Sequence, residues 1–123
     1  NLRSDILMKA KSKGKIIHTR SALLQGLFFK DLNDTDNIVQ KLKKELALIS
    51  EISRKENTSI SALALGYCLL QKTIDNVLIG VDSLNQLKDN IKSIHHKIMP
   101  QTIEHINTIK IKNLDLLNPS LWK

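Results

Sequence analysis

A chain of 123 residues has the size of one domain and is too short for two substantial ones. Its 41% hydrophobic content supports a packed core, but aromatics are only 3%, so that core rests on Ile, Leu, Val and Ala. The 19 Lys and Arg against 12 acidic residues give +7, which suits an anionic partner; lysines spread along helix faces and few stacking aromatics argue against nucleic acid and for a solvated basic surface.

Residues 4–13 read as a short amphipathic helix, with Ile6, Leu7 and Ala10 on one side and Lys9, Lys11 and Lys13 elsewhere, ended by Gly14. The run KIIHTRS, short, β-branched and preceded by that glycine, predicts a strand ending near Ser21. Residues 22–36, ALLQGLFFKDLNDTD, form an irregular connection that closes on the cap candidates Asp34, Thr35 and Asp36. A loop of that length usually has a job. Ile38, Leu42, Leu46, Ile49 and Ile52 then recur on one face of a single long helix, on which Glu51 and Lys55 make a favourable i,i+4 pair.

The stretch NTSISALALGYCLLQK predicts a largely buried helix, capped by Thr58 or Ser59, with Ile60, Leu63, Tyr67 and Leu70 on one stripe that Ala64 and Cys68 widen. IDNVLIG predicts a second strand, of the kind covered on both faces in a parallel sheet. The next helix takes Leu84, Leu87, Ile91 and Ile94 as its apolar face, and His95, His96 and Lys97 suit the negative dipole end of its last turn. Pro100 opens a further helix carrying Ile103, Ile106 and Ile109, and a tail of about residues 112–123 follows. No internal repeat is visible.

This order of elements belongs to α/β proteins with a parallel sheet, of which two strands are only a part. Ligands in such sheets bind at the carboxyl ends of the strands, here residues 20–26 and 80–90. Neither matches G-x-G-x-x-G or the P-loop pattern. At the second, Gly80 leads an apolar strand into a helix whose N-terminus offers an anion site, with phosphate the obvious occupant. Ser83 and Gln86, spaced S-x-x-Q, equally form a capping box that satisfies the same N–H groups internally.

Catalytic and metal-binding signatures are missing: the histidines lie at 18, 95, 96 and 105 without H-E-x-x-H, and no G-x-S-x-G is present. Tyr67, the only tyrosine, reads as a core residue. Cys68, the only cysteine, excludes an internal disulfide framework or a cysteine zinc cluster and implies a reducing compartment. No apolar run approaches the roughly 20 residues that span a bilayer, and NLRSDILMKA lacks a signal-peptide core, so the expectation is a cytoplasmic protein without a membrane partner.

RSALLQGLFF, the loop after it, SISALALGYCLLQKTIDNVLIGVDSLNQLKDNI and the closing NPSLW together resemble the C-terminal part of the aldo-keto reductases, nicotinamide-dependent oxidoreductases built as (β/α)₈ barrels. The resemblance spans nearly the whole chain. It implies one incomplete domain over residues 1–123: the C-terminal portion of a TIM barrel, with about two parallel strands and four to five helices. The strands would be the seventh and eighth, and residues 1–2 a remnant left after the sixth.

The first junction would then hold the pyrophosphate of NADP or NAD through Ser21, Leu23 and the backbone near Gln25 and Gly26. The second would hold the adenosine end through Gly80, Asp82, Gln86, Asp89 and Asn90. Arg20 stands where the family usually stacks an aromatic ring on the nicotinamide, a role a guanidinium plane can also fill, and Ala22 stands where a proline is common. Val81 and Asp82 replace the hydroxyl residues that many members place around the 2′-phosphate of NADP, and an aspartate there repels phosphate.

The family's tetrad of aspartate, tyrosine, lysine and histidine belongs to the first half of the barrel, so no catalytic residue is expected here. The resemblance therefore implies a cofactor-binding part of an enzyme that transfers hydride between a nicotinamide cofactor and an aldehyde or ketone, inactive alone. Its partners would be the dinucleotide, a small carbonyl substrate in the intact protein, and an N-terminal barrel half or a second copy. The alternative is a small basic interaction module that binds a protein or nucleic acid without redox chemistry.

Overall fold

The first helix, α1 (Ser4–Ser12), runs into Gly14 at φ +69°, a left-handed position that glycine adopts without steric cost. The structure, a computed structural model, describes residues 4–122; the proposed remnant at residues 1–2 lies outside them. Strand β1 (His18–Arg20) pairs in parallel with β2 (Asn76–Leu78), with Thr19 opposite Val77 and Arg20 opposite Leu78. Asp75 ties this pair to α1. Its carboxylate pairs with Lys11 and accepts the Ile17 N–H at 2.7 Å, and these two bonds hold its pKa below the usual value.

The predicted single long helix is two: α2 (Asn37–Lys41) and α3 (Lys43–Lys55). Leu42, at φ −108° and ψ 11°, leaves the helical region between them, while its N–H still donates to Ile38 and its carbonyl still accepts from Leu46. Asp36 is the cap, accepting the Ile38 N–H at 2.8 Å. The Glu51–Lys55 pair forms at 2.7 Å. Leu27, Ile38, Val39, Leu42 and Leu46 make one buried cluster, against which Leu24, Phe28, Ile111, Leu116 and Trp122 pack. The segment read as a tail is thus folded, in two short 3-10 turns held by a Trp122 Nε1–H donating to the Leu116 carbonyl at 3.0 Å.

Helix α4 (Ile60–Leu69) starts at Ser59, whose hydroxyl accepts the Ala62 N–H. Its buried residues are Ala62, Leu63, Leu65 and Gly66, so of the expected stripe only Leu63 is buried, Tyr67 is half-buried and Leu70 is exposed. A helix apolar nearly all round has no periodicity with which to choose a face. Gly66 helps set it, because a Cβ there would lie 2.6 Å from Ile98 Cδ1. Leu63, Ile52 and Ile98 form a second cluster with Ile49, Ile103, Ile106 and Ile109, the last three on or beside α6 (Pro100–Thr108).

Helix α5 (Leu84–Ser93) overturns a sequence expectation. Its apolar row of Leu84, Leu87, Ile91 and Ile94 is solvent-exposed, and α5 packs on α4 with Asn90 and Ser93 buried instead. His95, His96 and Lys97 lie just beyond the helix rather than in its last turn. The strands are not covered on both faces either, since Leu78 is 56% exposed. The cause is common to both: a two-stranded sheet has two open edges and too little surface to receive α5's row. Among the described residues, no helix is long and apolar enough to cross a membrane.

With that much apolar surface free, the isolated chain is expected to self-associate, its mass by light scattering rising with concentration. A monodisperse monomer with a sharp thermal transition would contradict this.

Candidate functional site at the strand ends

Parallel pairing in register brings the carboxyl ends of β1 and β2 side by side at Arg20 and Leu78, and both chains then turn away from the sheet. After β1 the turn is left-handed at four of six positions: Ser21 (φ 62°), Leu24 (48°), Gln25 (51°) and Gly26 (81°). Ser21 accepts the Leu24 N–H at 2.9 Å and Leu23 accepts the Gly26 N–H at 3.0 Å, which stabilises the turn. Three non-glycine residues in a region that L side chains rarely adopt is the kind of backbone strain that gathers at ligand sites.

After β2, Ser83 caps α5 by accepting the Gln86 N–H at 3.1 Å, and Gln86 Oε1 accepts the Asp82 N–H at 2.7 Å. The forward bond of the S-x-x-Q capping box is therefore formed, while the return bond reaches Asp82, one residue before the cap, and leaves the amide nitrogen of Gln86 uncommitted to it.

Between these turns lies a cavity of about 610 Å³. It is lined by Arg20, Ser21, Leu23, Gln25, Gly26, Gly80, Asp82 and Gln86, eight of the ten residues anticipated from sequence. The space above both glycines is open: a Cβ on Gly26 or Gly80 would meet nothing within 4 Å. Asp89 and Asn90 are not in the lining. They sit well along α5, roughly 9 Å beyond Ser83 at 1.5 Å per residue. Asp89 is exposed, 3.9 Å from Lys92, and Asn90 is buried with its amide nitrogen lacking a partner among the described residues.

Four lining residues were not anticipated: Ala22, Phe29, Leu78 and Ile79. Phe29 carried a usable signal, as one of two phenylalanines in an aromatic-poor chain, placed in the long loop.

The volume lies within the roughly 300–1,000 Å³ of cofactor sites, and the polar groups are few and convergent. One guanidinium, one carboxylate, the Ser21 hydroxyl and a strained backbone suit a ligand with anionic and hydroxyl groups. Among the described residues the lining contains no histidine, tyrosine, cysteine or lysine, so this wall carries no obvious general acid. Tyr67 is elsewhere on α4, its hydroxyl donating to Asn107 Oδ1 at 2.6 Å, and burial, with a smaller contribution from Cys68, raises its pKa. Among the described residues, no group of three or more His, Cys, Asp or Glu is placed to hold a metal.

The protein-family model matching the chain is that of the aldo/keto reductase family, over residues 3–111. Comparison with curated proteins and with solved structures gives no match.

Proposed function

Since the chain belongs to the aldo/keto reductase family, oxidoreductases built on TIM barrels, we propose that it is the C-terminal, cofactor-binding part of such a barrel. The observation that carries this reading is the cavity across two adjacent parallel strand ends, which gathers eight of the anticipated residues from both junctions. In it the residue 21–26 turn faces the pyrophosphate of a nicotinamide dinucleotide, Asp82 accepts hydrogen bonds from ribose hydroxyls, and the open space over Gly80 admits the adenosine. When bound, the nicotinamide supplies a hydride to an aldehyde or ketone. This chain's residues hold and orient the dinucleotide, and the proton donor comes from the N-terminal barrel half, whose elements also cover the exposed row of α5. That row would equally serve a small interaction module, but such a module gives no account of a cavity with a strained wall and a few convergent polar groups.

Titration of the chain with NADH and NADPH, followed by nucleotide fluorescence, tests the reading. NADH is expected to bind at least as tightly as NADPH, because the Asp82 carboxylate opposes a 2′-phosphate. Repulsion on the order of 1 kcal/mol in water at close range makes Asp82→Ser improve NADPH binding by about fivefold or more. Absence of binding by either nucleotide would overturn the site. A strong NADPH preference unchanged in Asp82→Ser would overturn the role of Asp82.

A further inference from the structure

We propose that Arg20 grips a phosphate oxyanion of the bound dinucleotide as the cavity's anion-pairing group, and does not serve as a stacking surface. The inference rests on the dinucleotide reading above and adds to it the partner of one residue. Among the described residues lining the cavity, Arg20 is the only cation. It has no acidic partner among the described residues, whereas Asp36, Asp75, Glu51 and Asp89 each pair with a lysine. Asp82, the one carboxylate of the same cavity, is not bonded to it, so the guanidinium charge is not neutralised from within.

Position favours the same role. Arg20 ends β1, and the left-handed turn beginning at Ser21 follows it directly, so an anion held in this corner meets a guanidinium and a strained backbone in one wall. A planar fork of N–H donors matches two oxygens of a phosphoryl group, and such charge-assisted bonds are the strong ones. Stacking needs a flat apolar face, and the cavity already has one in Phe29, the only aromatic side chain lining it among the described residues.

Calorimetric titration with ADP-ribose and with adenosine, which lacks the phosphates, separates the roles. Arg20 is exposed, so Arg20→Gln, Arg20→Lys and Arg20→Trp leave the fold intact, as circular dichroism checks. Loss of a hydrogen-bonded charge predicts that Arg20→Gln weakens ADP-ribose binding about 10- to 100-fold while adenosine affinity stays constant. Arg20→Lys recovers part of the loss, Arg20→Trp recovers none, and added salt weakens the unaltered chain more than Arg20→Gln. Recovery in Arg20→Trp, or equal weakening of adenosine, would overturn the proposal. If the unaltered chain binds ADP-ribose and Arg20→Gln binds it equally well, the pairing alone fails. If the unaltered chain binds neither compound, the dinucleotide reading fails and takes the pairing with it.

Discussion

Assayed alone with NADH or NADPH and reactive aldehydes, the 123-residue chain is expected to show no turnover above background, and Tyr67→Phe is expected to change nothing. Carbonyl reduction needs a proton donor within hydrogen-bond reach of the developing alkoxide. Tyr67 is the only tyrosine, its hydroxyl is committed to Asn107 at 2.6 Å, and it does not line the cavity at the strand ends. Its raised pKa comes from desolvation first, the opposite of the lowering that makes a tyrosine readily give up its proton near neutrality. Among the described residues, no histidine or lysine lines the cavity to replace it. Turnover that disappears in Tyr67→Phe would overthrow both this expectation and the reading of the chain as the cofactor-binding part.

Leu63→Ala is expected to cost about 2–5 kcal/mol, and Leu84→Ala less than about 0.5 kcal/mol. Leu63 is 2% exposed among Ile52, Ile98 and the isoleucines around α6, so truncation leaves a cavity where three helices meet. A domain's whole stability is about 5–15 kcal/mol, which makes that loss a large share of it. Leu84 is 65% exposed and leaves no cavity. Urea unfolding followed by circular dichroism, at one fixed protein concentration because association shifts midpoints, measures both. Equal losses would mean that α5's apolar row is buried after all, as its periodicity alone suggests.

That pair of leucines also shows what the sequence could and could not tell. Both belong to well-formed helices, and the caps that start them, Ser59 and Ser83, follow from residue type and spacing. Periodicity finds a face but not its cover. On α5 it marked Leu84, Leu87, Ile91 and Ile94, and the buried residues are Asn90 and Ser93, because α4 is the element at hand. On α4, apolar all round, the choice fell to Gly66 and its close approach to Ile98, a contact between residues 32 apart that no local pattern contains.

The meeting of the two strand-end junctions was more legible than the packing. Residues at the ends of two parallel strands are brought together by chain direction alone, which is why both junctions meet in one cavity. Asp89 and Asn90 lie outside the cavity lining because membership of a motif carries no depth, and α5 takes them away from the strand ends. The scarcity of aromatics marks Phe29, but its place in the cavity depends on the loop's left-handed turn, which has no signature beyond one glycine.

Amide chemical shifts of the ¹⁵N-labelled chain titrated with NADH report whether a nicotinamide dinucleotide lies across the two strand ends. The expected result is saturable shifts confined to residues 20–26 and 78–86. Shifts gathered instead around a separate cavity lined by Ile52, Met99 and Thr102, or no shifts up to millimolar NADH, would contradict that placement.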